Sequence, residues 1–103
     1  MTSRRIPLVT NASRDYILLT QALDIFEPAI FGGKNKSERA LKLAQVQYWE
    51  SPCIMDDIVS DKNIFRCRSK RVVKSFLDDN DLKNGDFIVI KKVAPYTYKI
   101  LKE

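Results

Sequence analysis

Residues 61–90 constrain the fold most, because the hydrophobic pattern changes its period twice along them. Apolar and basic side chains alternate in residues 64–68, as in a strand with one buried face. Apolar side chains at helical spacing follow in residues 72–77, and residues 87–90 form a continuous apolar run typical of a buried strand. The stretch therefore predicts a strand, a short amphipathic helix, a turn and a second strand.

The ends of that helix are also marked in the sequence. Ser69 can cap its first turn with a side-chain oxygen. Acids gather after Leu77, where they oppose the helix dipole, so the helix should fray near Asp79. Asn84 and Gly85 then predict a tight turn before the buried strand.

Basic residues are concentrated in the same stretch, with no acid between Lys62 and Asp78. Alternation places Arg66 and Arg68 side by side on the exposed face of the predicted strand, where their guanidinium forks suit phosphate or the edge of guanine. The formal net charge of +5 and the sequence pI of about 9.3 favour an anionic partner. Nucleic acid is the first candidate.

Short strands dominate the rest of the chain, which at 103 residues forms a single domain, residues 1–103. Pro7 favours a strand end or an edge strand, and a slip in the alternation near Ala44 suggests a bulge. Two short helices and about seven strands predict a mainly β barrel or sandwich with helices at its ends. The predicted strands are residues 4–9, 16–20, 40–48, 53–59, 64–68, 87–93 and 96–101, and the first helix is residues 21–26.

Several functional classes are disfavoured by composition. There is no histidine, and Cys53 and Cys67 are far apart, so we expect no metal site, disulfide or cofactor. Asp56, Asp57 and Asp61 raise the idea of a metal-dependent nuclease, but such a site needs carboxylates that converge on one metal. Without a histidine base or an activated cysteine, we expect a protein that is not an enzyme.

No apolar run is long enough to cross a membrane, and no apolar signal core follows Arg4 and Arg5. We therefore expect a cytoplasmic protein. A flexible basic loop begins at the pair Gly32 and Gly33 and continues with lysines. This loop could cradle a phosphate, although it lacks the spacing of a Walker motif, or it could be a plain solvated loop.

Four segments together resemble the DNA-binding pseudobarrel family. They are Phe-Glu-Pro-Ala-Ile-Phe-Gly-Gly at residues 26–33, the run from Asp to Arg at residues 57–68, Gly-Asp at 85–86, and Pro-Tyr-Thr-Tyr at 95–98. Plant "B-three" transcription-factor domains and the effector domains of EcoRII-type restriction enzymes share that fold. The likeness is greatest to a small prokaryotic branch and covers nearly the whole chain.

The resemblance implies a seven-stranded open pseudobarrel that binds double-stranded DNA. In that fold the duplex lies against a concave face, and two arm loops enter the major groove; by position the arms here are residues 11–15 and 60–63. The restriction-enzyme relatives carry a separate nuclease domain that this chain cannot hold. An associated nuclease or methyltransferase is therefore a further expected partner, and we expect a monomer.

The arms, the basic loop and the arginine strand together supply the candidate contacts. Asparagine can read adenine through two hydrogen bonds, so Asn11 is a candidate base reader. If Arg66 and Arg68 contact DNA, replacing both with alanine should weaken duplex binding while leaving the melting temperature unchanged. The candidate DNA-binding residues are Asn11, Ser13, Arg14, Lys34, Lys36, Ser60, Lys62, Asn63, Arg66, Arg68 and Lys70.

Two other functions stay open. One is a swapped-hairpin regulator of the AbrB or antitoxin kind, because the segment at residues 82–86 before a strand also occurs there. The other is a non-catalytic protein-interaction module whose basic face docks an acidic partner. A monomer in solution would disfavour the first, and failure to bind any duplex would favour the second.

Overall fold

The computed structural model describes residues 2–66 and 70–103, which form mainly β structure with short helices. The strands are β1 (Thr2–Pro7), β2 (Phe31–Gly32), β3 (Ala44–Tyr48), β4 (Ile54–Asp56), β5 (Ile58–Val59), β6 (Ile64–Phe65), β7 (Phe87–Ala94) and β8 (Thr97–Lys102). The helices are α1 (Lys70–Asp79) and three 3-10 helices, Thr20–Ile25, Pro28–Ile30 and Lys36–Glu38.

These strands form two sheets, and neither closes into a barrel within the described ranges. The larger sheet has the order β1-β7-β8-β3-β4, in which only the β3–β8 pair is parallel. The smaller sheet has the order β2-β5-β6, with β2 parallel to β5. Pro7 ends the edge strand β1, as predicted from its missing N–H.

Alternation along β7 and β8 directs one face of the larger sheet into the core. Ile88 and Ile90 of β7 and Tyr98 and Ile100 of β8 have no exposed surface. The sharp turn before β7 is made by Gly85, whose φ of +97° is a conformation that residues with a Cβ rarely adopt. The predicted turn and strand are therefore confirmed, but the strand is buried on one face only, since Phe87 is 37% exposed.

Helix α1 buries the predicted apolar stripe. Val73, Phe76 and Leu77 are buried, and the Phe76 ring lies 5.9 Å from the Tyr48 ring of β3. The helix ends at Asp79, as the unfavourable acids predicted. It has ten residues, and no helix in the described ranges is both long and apolar enough to cross a bilayer.

The predicted strand at residues 16–20 is wrong. This segment joins no ladder, although Ile17 and Leu19 are buried. The N–H of Leu18 donates to Val9 O, and the N–H of Leu19 donates to Asn63 O, so the segment is held between two loops. The helix predicted after it is a 3-10 helix.

Two further predicted strands are shorter than expected. β3 begins only at Ala44, because the N–H of Ala40 turns to Asp57 Oδ2 and that of Lys42 to Ala29 O. The strand predicted at residues 53–59 divides at Asp57 into β4 and β5, which belong to different sheets. The strand at residues 16–20 is lost, the division at Asp57 adds one strand, and β2 was not predicted, so the described residues hold eight strands instead of the predicted seven.

Glu27 connects the 3-10 helix Pro28–Ile30 to the β7–β8 hairpin. Its carboxylate accepts the hydroxyl of Tyr98 and, at 2.8 Å, the N–H of Tyr96, and it lies 3.0 Å from Lys92 Nζ. Burial opposes ionisation, but these donors outweigh it and lower the pKa of Glu27 from 4.5 to about 2. Ionised Glu27 therefore stabilises the folded state.

Glu27→Gln should remove an acid-sensitive part of the free energy of unfolding. Because the folded pKa lies below the unfolded value of 4.5, the contribution is complete above that pH and is lost as the pH falls towards about 2. Its size is on the order of 2–3 kcal/mol. Urea unfolding at about pH 6 and about pH 2.5 should show a smaller acid loss in the variant than in the wild type. Asp24→Asn, which removes a 60% exposed carboxylate, is the control and should leave the acid loss nearly unchanged.

Candidate nucleic-acid interface

A concavity of 210 Å³ lies between the loop after β2 and the β5–β6 turn, and we call it the basic concavity. Cationic side chains from both loops surround apolar side chains there. Parallel pairing of β2 with β5 brings these two loops together, since both follow the carboxyl ends of their strands. The lining residues are Lys34, Lys36, Val59, Lys62, Ile64 and Arg66.

The lysine amines of the basic concavity are available to a ligand. Lys34, Lys36 and Lys62 are exposed. Throughout residues 2–66 and 70–103, no carboxylate lies within ion-pair distance of these three amines. The predicted loop lysines and the predicted arm lysine therefore converge on one place.

The backbone of the lysine loop is closed on itself. Asn35 and Glu38 form a capping box around the 3-10 helix Lys36–Glu38, in which the N–H of Asn35 donates to Glu38 Oε1 at 3.0 Å. The N–H of Gly33 donates to Glu38 O at 2.7 Å. These two N–H groups are thus engaged within the loop, which favours contact through the lysine side chains over a backbone phosphate cradle.

Arg66 is held inside this site and does not project from a strand. β6 ends at Phe65, and the Arg66 side chain is 9% exposed. Its Nε donates to Asp57 Oδ1 at 2.8 Å, and its Nη2 donates to Gly33 O at 2.6 Å. The expectation of two outward arginines is therefore not met at Arg66, and Arg68 lies outside the described residues. Asp57 therefore holds the guanidinium of Arg66 within the site.

The Asp57 carboxylate is fully buried and depends on this pairing. Burial opposes its charge, but the hydrogen bonds from Arg66 and from the N–H of Ala40 prevail, and the pKa of Asp57 lies below its ordinary value of 3.8. We call this arrangement of Asp57, Arg66 and the Gly33 carbonyl the arginine brace. It fixes the lysine loop against the smaller sheet.

Gly32→Ala should destabilise the protein through the arginine brace. A Cβ at Gly32 would lie 2.5 Å from Asp57 Oδ2, 2.6 Å from Arg66 Nη2 and 2.7 Å from the backbone N of Ala40. Because none of these atoms can move without breaking the brace, we expect a loss of about 2–3 kcal/mol in the free energy of unfolding, measured in urea.

Gly33→Ala should disturb the lysine loop itself. Its Cβ would lie 2.7 Å from Glu38 Cβ and 2.9 Å from Glu38 Cδ, and Glu38 belongs to the capping box. Because the backbone fixes the position of Glu38 Cβ, the loop has to shift, and we expect a loss of about 1–2 kcal/mol. A loss below about 0.5 kcal/mol for Gly32→Ala would argue against a rigid brace.

The first predicted arm, residues 11–15, is tied to the end of α1. Asn11 Nδ2 donates to Asp15 Oδ1 at 2.6 Å, and Asn11 Oδ1 accepts the N–H of Asp15. Arg14 Nε donates to Asp78 Oδ1 at 2.9 Å, and its Nη2 donates to Leu82 O at 2.6 Å. Ser13 is exposed at the tip. Asn11 and Arg14 thus have structural contacts in addition to their predicted role.

The second predicted arm is the β5–β6 turn. Ser60 Oγ donates to Gly32 O at 2.8 Å, which joins this arm to the lysine loop. Asn63 has a φ of 56°, in the left-handed region that asparagine tolerates, and its carbonyl accepts the N–H of Leu19 at 2.8 Å. The second arm therefore contacts both the lysine loop and the segment that follows the first arm.

A second hollow of 380 Å³ lies where these segments meet, and we call it the tyrosine hollow. It is lined by Tyr16 and Leu18 on one side and by Lys62 and Ile64 on the other. Sequence reasoning missed Tyr16 and Leu18 because residues 16–20 were interpreted only as a strand of the fold. Their alternation with the buried Ile17 was the signal that could have identified them.

The three aspartates considered for a nuclease do not converge. Asp56 is buried, and its Oδ1 accepts the N–H of Asp57. Asp57 belongs to the arginine brace, and Asp61 is exposed on the second arm. No cluster of three metal-ligating side chains occurs in the part of the chain that the structure describes. Lys70 begins α1.

Comparison of the chain with models of protein families, with curated proteins and with solved structures finds no match. The likeness to the pseudobarrel family therefore remains a prediction from the sequence.

Proposed function

We propose that this protein is a DNA-binding domain of the pseudobarrel type, which holds a duplex against the basic concavity and reads its sequence through the major groove. One observation carries the proposal. Lys34, Lys36 and Lys62 converge from two loops on one concave site, and no described carboxylate neutralises them. Such a cluster attracts a polyanion, and duplex DNA is a regular polyanion with one negative charge per about 1.7 Å of its axis.

The lysines and the arginine brace would have different roles in binding. A lysine amine is a compact charge on a flexible stem, which suits phosphate contacts that position a duplex without reading it. Arg66 would act mainly by fixing the lysine loop, since its guanidinium already donates to Asp57 and Gly33. The brace keeps the lysines near one another before DNA arrives, which lowers the entropic cost of binding.

Fewer residues would then contact bases than the sequence suggested. Asn11 and Arg14 bind within the protein, whereas Ser13 is exposed at the first arm. Arg68 keeps the role that the sequence assigns to it. An associated nuclease or methyltransferase would use such a monomeric module for recognition.

The test is binding of a labelled random duplex pool, followed by selection of the bound sequences with and without base methylation. Affinity should fall steeply with salt, because counterions are released from each neutralised phosphate. Polyglutamate is the competitor that represents an acidic protein partner. Displacement of DNA by polyglutamate at equal charge concentration, with no sequence selected from the pool, would favour the protein-interaction function instead.

A further inference from the structure

The tyrosine hollow and the basic concavity are neighbours, because Lys62 and Ile64 line both of them, and we call the two hollows together the groove. The tyrosine hollow, at 380 Å³, has the size of a small-molecule pocket, which is about 300–1,000 Å³, and the basic concavity adds 210 Å³ beside it. The groove is thus larger than phosphate contacts alone require.

The two ends of this groove have different chemistry. Tyr16 and Leu18 are half-buried, and Ile64 is 4% exposed, so the first end presents an aromatic ring beside apolar side chains. The Tyr16 carbonyl accepts the hydroxyl of Thr10, whereas the Tyr16 hydroxyl has no hydrogen-bond partner among the residues that the structure describes. The second end presents the amines of Lys34 and Lys36.

A ligand that matches both ends would place a planar aromatic group on the tyrosine ring and an anionic group beside the lysines. A nucleotide carries both groups. Nucleobases of every kind stack on aromatic side chains, while their phosphates bind lysines. Inside a duplex, however, both faces of each base are covered by its neighbours. Only a base outside the stack can place a face on a tyrosine ring.

The walls of the groove are fixed by hydrogen bonds. Asn63 joins the two sides of the tyrosine hollow, since its carbonyl accepts the N–H of Leu19 and its Nδ2 donates to Thr20 Oγ1 at 3.3 Å. Ser60 joins the second arm to Gly32. A groove with fixed walls loses little entropy when it is filled.

From these contacts we propose that the groove takes one unpaired or extruded nucleotide, with its base on Tyr16 and its flanking phosphates at Lys34, Lys36 and Lys62. The inference rests on the proposed function and adds the class of DNA that fits best. It is a duplex interrupted by a nucleotide that has left the stack, rather than a fully paired duplex.

Three kinds of duplex with the same paired sequence test the inference. One is fully paired, one carries a single bulged nucleotide, prepared with each of the four bases, and one carries a bulged abasic residue. The abasic duplex has the same backbone and flexibility but no base. The wild type should bind the bulged base about tenfold more tightly than the abasic bulge. Tyr16→Ala should abolish that difference, and Tyr16→Phe should keep it, because the ring remains.

Two further variants keep the test decisive. If Tyr16→Ala unfolds, Tyr16→Leu fills the same space without an aromatic ring and should also abolish the difference. Trp49→Ala removes an exposed ring that lines neither hollow and should leave the difference intact. Equal affinity for bulged base and abasic bulge, with the paired duplex still bound, would overturn the nucleotide site and leave duplex binding standing. If the wild type bound none of these duplexes, both proposals would be overturned.

Discussion

Replacing Lys34, Lys36 and Lys62 together with glutamine should weaken binding of duplex DNA by about a hundredfold at low salt. The plot of log affinity against log salt should also become less steep by about 2.7, because each phosphate contact contributes about 0.9 to its slope. All three side chains are exposed, so the free energy of unfolding should change by less than about 0.5 kcal/mol. Fluorescence anisotropy over a salt series measures both effects.

The matched control removes the same charge elsewhere. Glutamine at Lys83, Lys91 and Lys99 also deletes three lysines, and none of them lines the basic concavity. Lys91 and Lys99 are cross-strand neighbours on β7 and β8. This variant should lose affinity only a few-fold through its lower net charge. If both triple variants lost the same affinity and the same slope, the net charge of the chain would explain binding and the basic concavity would not.

Elements that depend on local pattern were predictable from the sequence. β7 follows from the apolar run at Phe87, and α1 follows from the helical spacing of Val73, Phe76 and Leu77. Gly85 marks the turn before β7 because its positive φ suits glycine. In each case the residues that determine the element lie within it or beside it.

Elements set by distant hydrogen bonds were not predictable in this way. The strand predicted at residues 53–59 divides at Asp57 into strands of two sheets, where the Asp57 side chain pairs with Arg66 and with the N–H of Ala40. Residues 16–20 have the composition of a strand, but their N–H groups find partners in two loops. A one-dimensional pattern contains the hydrophobicity of these segments but not the identity of their partners.

The candidate site was likewise predictable only where it depends on local sequence. Lys34, Lys36 and Lys62 were predicted as contacts because of their charge and their places in loops. Their convergence depends on the parallel pairing of Phe31 with Ile58, which joins strands far apart in the sequence. Alternation directed Arg66 outward, but that rule holds only within a strand, and β6 ends one residue earlier.

Arg66→Ala should lower the free energy of unfolding by about 3–5 kcal/mol, because it leaves the fully buried carboxylate of Asp57 without its partner. A loss of this size is a large fraction of the stability of a small domain and should lower the melting temperature by more than about 10 °C. The structure thus changes the expectation that Arg66→Ala combined with Arg68→Ala melts normally. Weaker DNA binding by that double variant would therefore not distinguish a displaced lysine loop from a lost contact between arginine and DNA.

Double-mutant cycles and pH separate the ion pair from the rest of the site. Arg66→Met combined with Asp57→Leu removes both charges and should recover much of the stability that Arg66→Ala loses. Because the pKa of Asp57 is lowered in the folded protein, the ion pair stabilises the fold above the ordinary value of 3.8 and is lost as the pH falls below it. The difference between wild type and Arg66→Ala, measured by urea unfolding, should therefore shrink in acid. A difference below about 1 kcal/mol at neutral pH, or one that does not change in acid, would show that the arginine brace does not hold the loop.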